Sequence, residues 1–204
     1  MDGILNMVLG QLGGGGLGAL GGLLGTGPDE TQSTVATTVN VITGALARNT
    51  AEPAGAQALD AALEKDHDGG IFDDVVGFLG NAASGSGAGI LGHVLGGSQP
   101  QVEQGIAEKT GLSMDKVLPL LLMVAPLVMG ALGKMKKDKA MDSNAVAATL
   151  ASERQAAEQQ DDGVLGSILG VLGGAAQPAP AQEQSSTGGI LGMLGGLFGG
   201  KKNK

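Results

Sequence analysis

The stretch VLPLLLMVAPLVMGALG, Val117 to Gly133, decides how this chain folds. It carries no charge and sits between Lys116 and the group Lys134, Lys136, Lys137 and Lys139, so taken alone it resembles a short membrane span with a positive flank. A second stretch, TQSTVATTVNVITGALA, Thr31 to Ala47, lies 86 residues earlier and aligns with it without a gap, ending on the same Gly-Ala-Leu. That partner holds five Thr together with Gln32, Ser33 and Asn40. Two segments filling one structural role, one of them this polar, predict a buried central helix rather than a span. Pro119 and Pro126 point the same way, because each removes a bond from the helix ladder.

The match extends outward from these two helices. Gly3-Ile4-Leu5 falls on Gly89-Ile90-Leu91, Val8-Leu9-Gly10 on Val94-Leu95-Gly96, Gly25 on Gly111, Asp29 on Asp115 and Arg48 on Lys134. Self-similarity over such a length marks a duplicated unit, here with halves 3–80 and 89–172. Each half continues into a helical segment, with Leu59 and Leu63 or Val146 and Leu150 four apart. It then closes at Asp68-Gly69-Gly70-Ile71-Phe72 or at Asp162-Gly163-Val164-Leu165, the second shifted seven residues later.

A smaller pattern recurs inside the halves: Gly, Ile or Val, Leu or Phe, two variable positions, two mostly branched apolar positions, then Gly. Copies begin at Gly3, Gly70, Gly89, Gly163 and Gly189. In the first, Ile4, Leu5, Val8, Leu9 and Leu12 follow helical rather than alternating spacing, with glycine at the ends. An isolated helix shorter than about 12–15 residues is marginal in water. Each copy therefore has to dock on another surface.

Longer helices show their own start signals. Pro28 with Asp29 and Glu30 reads as a first turn, followed by the stripe Val35, Val39, Ile42 and Leu46. Pro53 opens the next helix, Asp68 caps one from about Ile71 to Leu79, and Pro100 opens one that stops at Gly111. Ser113 caps a helix running to about Lys137, and Asp142 or Ser143 caps the last long one. No segment alternates like a strand, and the glycine load would weaken strands further. The predicted class is all-α. Residues 1–27 form a Gly-rich N-terminal segment, in which Gly13 to Gly27 is expected to be unfolded or frayed. Residues 28–174 form the helical domain, 175–187 (AAQPAPAQEQSST) a linker, and 188–204 a Gly/Leu-rich motif with a basic tail.

Of 204 residues 39 are Gly and three are aromatic, all Phe, so the core has to be aliphatic with help from Met. The absence of Cys removes disulfides, thiol nucleophiles and Cys-bound metal. Twelve basic against 20 acidic side chains, a net charge of −8, argue against nucleic acid as a partner. The apolar start lacks the basic region of a signal peptide, since Asp2 is acidic and the first basic residue is Arg48; the expected location is cytoplasmic, with membrane association as the alternative.

Chemistry-bearing clusters are sparse. Gly16-Leu17-Gly18-Ala19-Leu20-Gly21 spells a dinucleotide fingerprint, but no strand precedes it and no βαβ unit surrounds it. Asp66, His67 and Asp68, followed by Asp73 and Asp74, gather donors that suit a divalent cation, with His93 as a further ligand. Helix capping and dipole complementation account for the same acids, so no metal site is expected there. His93 stands at the fifth place of its motif, where other copies have Met7, Asp74, Ser167 and Met193. No nucleophile, base and orienting group come together in the pattern, and neither catalytic residues nor a cofactor are expected.

The strings DHDGGIFDD (66–74), GAGILGHVLGG (87–97) and VAPLVMGALGK (124–134), in this order and spacing, resemble the bacterial domain of unknown function number nine hundred and thirty-seven over residues 1 to 155. IFDDVVGFLG (71–80) and the pattern around Gly111 to Leu118 are distantly similar to YidB-like proteins. The resemblance implies bacterial origin, a duplicated all-helical domain and no assigned activity; His67 and His93 match the pattern, but the family brings no established site. The expected function is non-enzymatic self-assembly, as a homo-oligomer or filament built by Gly-bounded amphipathic helices. A membrane-surface protein, or a metal-binding one at Asp66, His67 and Asp68, is the alternative.

Overall fold

In the computed structural model, which describes residues 3–67, 69–81, 85–160 and 163–173, every regular element is a helix. The first, α1 (Ile4–Leu24), is two segments joined at Gly13, whose φ of 51° and ψ of −166° only glycine adopts readily, and the segments meet at 91°. Gly25 then ends α1 in the left-handed conformation, with its N–H on Gly21 O. Pro28 opens α2 (Pro28–Asn49) and Pro53 opens α3 (Pro53–Asp66), each where a missing N–H costs nothing. A 3₁₀ turn, Gly70–Asp74, leads into α4 (Val75–Asn81).

The second run of elements is α5 (Gly87–Val94), α6 (Gln99–Thr110), α7 (Met114–Asp138), α8 (Ser143–Gln160) and α9 (Val164–Gly173). Pro100 lies in the first turn of α6, and Gly111 ends it in the left-handed region. The carboxylate of Asp142 accepts Ala145 N–H at 2.8 Å and so caps α8. Pro119 and Pro126 both lie inside α7, which runs on through them.

Two long helices, α2 and α7, touch each other at the centre, and the rest are arranged on them. Leu120, Leu121, Val124, Leu127, Val128 and Leu132 of α7 have no exposed surface, nor do Val35, Val39 and Ile42 of α2. Each such aliphatic side chain contributes about 1.5–3 kcal/mol on leaving water. Two of the buried threonines of α2 bond to a carbonyl four residues back: Thr31 donates to Gly27 O, just before the helix, at 2.7 Å, and Thr38 to Thr34 O at 2.8 Å. Thr43 Oγ1, by contrast, is buried and without a hydrogen-bond partner.

Cross-links fix the outer elements. Lys136 of α7 pairs with Asp60 at 2.8 Å and Glu64 at 2.7 Å, both on α3. Lys116, near the start of α7, donates to Leu24 O at the end of α1. The expectation that Gly13 to Gly27 is unfolded is corrected here, because Gly15–Leu24 is helical. Glycine disfavours a helix by about 1 kcal/mol per residue, but Leu20 and Leu24 are fully or almost fully buried, and packing on α2 and α7 outweighs propensity. The linker 175–187 and the motif 188–204 lie outside the described residues.

Candidate functional site

Four of the five Gly-bounded copies fall among the described residues, and all four dock. They are the first segment of α1, the turn Gly70–Asp74 with α4, α5, and α9. Their first branched position, the sixth of the motif, is Val8, Val75, Val94 and Ile168, and all four side chains are buried. The next position is less uniform, since Leu95 and Leu169 are buried while Val76 is 56% exposed.

Two of these copies, those beginning at Gly70 and Gly163, sit on glycine. A β-carbon built on Gly130 of α7 would lie 2.5 Å from Ile71 Cγ2, one on Gly44 of α2 would lie 2.6 Å from Leu169 Cδ1, and one on Gly105 of α6 would lie 2.6 Å from Ile168 Cγ1. On Gly16 of α1 it would stand 3.5 Å from Val75 Cγ1. An aliphatic knob thus fills the space where the partner helix has no side chain, which lets the helix axes come close without hydrogen bonds. At α5 the arrangement is inverted, since Gly87, two residues before its copy begins, lies against the main chain of Leu122. Sequence reading had paired Gly44-Ala45-Leu46 with Gly130-Ala131-Leu132 but had not identified Gly44 and Gly130 as sockets. A glycine inside an otherwise apolar helix stripe is the signal that marks them.

The metal candidates are placed differently. Asp66 is the exposed last residue of α3, and His67 follows it, half-buried, at the helix end. Burial lowers the His67 pKa from its ordinary value, against the opposing pull of Asp66. Asp68 lies outside the described residues. His93 is exposed on α5, with Nδ1 2.8 Å from Gly89 O. No group of three or more His, Asp or Glu able to hold a metal ion occurs among the described residues. Asp74 caps the start of α4, its Oδ1 accepting Gly77 N–H at 2.9 Å.

An open groove of about 610 Å³, which the sequence did not signal, runs between the end of α2 and the end of α5. Arg48, Glu52 and Ser98 line it, and Asn49 ties its walls by donating Nδ2–H to Val94 O at 3.0 Å. The C-termini of α2 and α5 meet the N-cap residues of α3 (Glu52) and α6 (Ser98) there, so the helix dipoles offset one another. In membrane terms α7 is the one single helix among the described residues long and apolar enough to cross a bilayer, and 78% of that window is buried inside the fold.

Fold and surface together define an all-α protein in which short Gly-bounded helices lock onto two central ones. The chain belongs to the family described as a bacterial protein of unknown function (DUF937), which it matches over residues 6–135. No curated protein and no solved structure matches it.

Proposed function

We propose that this protein is a non-enzymatic assembly protein that associates with copies of itself through its Gly-bounded helices. The observation that carries the reading is the repeated lock of Ile71, Ile168 and Leu169 over Gly130, Gly105 and Gly44, a packing unit that needs only an apolar knob and a bare helix surface. The reading is further supported by Gly18 and Gly22 of α1, Gly89 and Gly92 of α5, and Gly166 and Gly170 of α9, all exposed, where an added β-carbon would meet nothing within 4 Å. Bare surfaces of this kind admit a second helix at close range.

The duplication belongs to the same proposal. With 3–80 and 89–172 as two copies of one unit, α1 on α4 corresponds to α6 on α9, α2 on α8 to α7 on α3, and α2 on α9 to α7 on the Gly70–Asp74 turn. Two similar surfaces on one chain permit head-to-tail contacts as well as closed dimers. Light scattering on the full chain over a range of concentrations tests the function. A mass rising above the 20.0 kDa of one chain is expected, and a monomer at every concentration overturns the reading.

A further inference from the structure

We infer that the turn between α7 and α8 is a hinge, and that opening it into one continuous helix carries α8 and α9 of one copy onto α2 of a second copy, which gives its own in exchange. This rests on the self-association proposed above and names the segment that passes between the chains. The turn is Lys139-Ala140-Met141-Asp142. Ala140 has a φ of 49°, and among the described residues every other positive φ belongs to a glycine, such as Gly25 and Gly111 at the ends of α1 and α6. In that conformation a β-carbon crowds the following carbonyl oxygen, a strain that glycine escapes.

The local sequence pulls toward the open form. Lys, Ala and Met are strong helix formers, and from Lys134 to Gln160 the chain has neither Gly nor Pro to stop a helix. Against this, Met141 N–H donates to Lys136 O at 2.9 Å, the Met141 side chain packs on the core, and Asp142 caps α8. Opening gives these up and sets Asp138 four residues before Asp142, a like-charge pair on one helix face. A short turn under strain between separable parts is the setting in which identical elements exchange, with concentration selecting the dimer.

The arm that would move is separable. α8 buries Val146 and Leu150, and α9 adds Leu165, Ile168 and Leu169. Its main seats are on α2, α3 and α6, where Leu169 lies over Gly44 and Ile168 over Gly105. All of them precede the hinge, so a second copy offers each unchanged. The same chain cannot receive its own opened arm: a continuous helix from Met114 to Gln160 is about 70 Å long, against a radius of gyration of about 16 Å for a domain of this size. Reciprocal exchange leaves no seat empty and closes the dimer.

Variants of the hinge, measured as full chains by light scattering, test it. Ala140→Gly relieves the turn and weakens the continuous helix, so the dimerisation constant is expected to fall about a hundredfold, tenfold for each of two hinges. Asp142→Ala removes the α8 cap and the repulsion from Asp138, and is expected to raise that constant about tenfold. Cooperative melting of each variant checks that it folds. A third variant, Met114→Cys with Gln160→Cys, places two labels at exposed positions of a chain that has no other Cys. Diluted into unlabelled wild type, it is expected to show a separation of about 70 Å in the dimer and a shorter one in the monomer. A dimer that either hinge variant leaves unchanged, or whose label separation matches the monomer's, overturns the hinge but leaves self-association standing. A wild-type chain that is monomeric at every concentration overturns both.

Discussion

The two central helices reach the same burial from opposite compositions. α7 is aliphatic along its whole buried length, while α2 buries Thr31, Thr34, Thr38 and Thr43 beside Val35, Val39 and Ile42. At Thr31 and Thr38 the hydroxyl meets an acceptor four residues back, which offsets the cost of burying it, whereas Thr43 is buried without one. The two helices also show two routes to close packing: aliphatic volume in α7, and small or self-satisfied side chains in α2.

Volume should matter most where it is densest. Leu121→Ala in α7 is expected to cost about 2–5 kcal/mol, against about 2 kcal/mol for Val35→Ala at the equivalent position of α2, because fewer methyl groups leave the core. Urea unfolding of both variants gives the two numbers, and equal losses would erase the distinction. Gly87→Ala should come next, costing about 1–3 kcal/mol by overpacking, since its methyl runs into the main chain of Leu122 rather than a side chain that can turn aside. Gly44→Ala, facing only the tip of Leu169, should cost less.

Hydroxyl accounting sharpens the α2 side. Thr43→Val removes a buried oxygen that has no partner and should stabilise by about 1 kcal/mol, whereas Thr38→Val removes a bonded one and should come out near zero or slightly unfavourable. If the two variants shift Tm equally, back-bonding is not what makes threonine acceptable here. The smallest effect concerns pH. Because burial lowers the His67 pKa, the unfolded chain binds the proton first, so stability is complete above the ordinary value of 6.5 and is lost as pH falls from there toward the lower folded value. His67→Gln should therefore lose less Tm between about pH 7.5 and 5.5 than wild type; superimposable curves would remove His67 from the acid response.

Much of this fold was legible as punctuation. Pro28, Pro53 and Pro100 open helices where expected, Gly111 closes α6, and the Val35-Val39-Ile42 stripe faces the core. Family membership was legible too, from the strings at 66–74, 87–97 and 124–134. The helix at Gly15–Leu24 was not, because its stability resides in the tertiary burial of Leu20 and Leu24 while its local sequence disfavours helix. Nor was the cap at Asp74, which depends on a 3₁₀ turn placing the start of α4 at Val75. The sockets at Gly44 and Gly130 had a trace in the sequence, a glycine in an apolar stripe, but Gly105 stands among polar residues, and its meaning comes only from the knob that fills it.

The packing of α2 on α8 has a consequence during synthesis. Asn49 completes α2, but Gln160 must be made before α8 exists in full. At ~5–20 residues per second, the ribosome leaves the valine and threonine face of α2 without that cover for about 6–22 s. Alternating threonine with valine on that surface keeps the nascent segment less adhesive than an all-aliphatic helix would be, whereas α7, the greasier of the pair, emerges when α1 and α2 are already there to receive it.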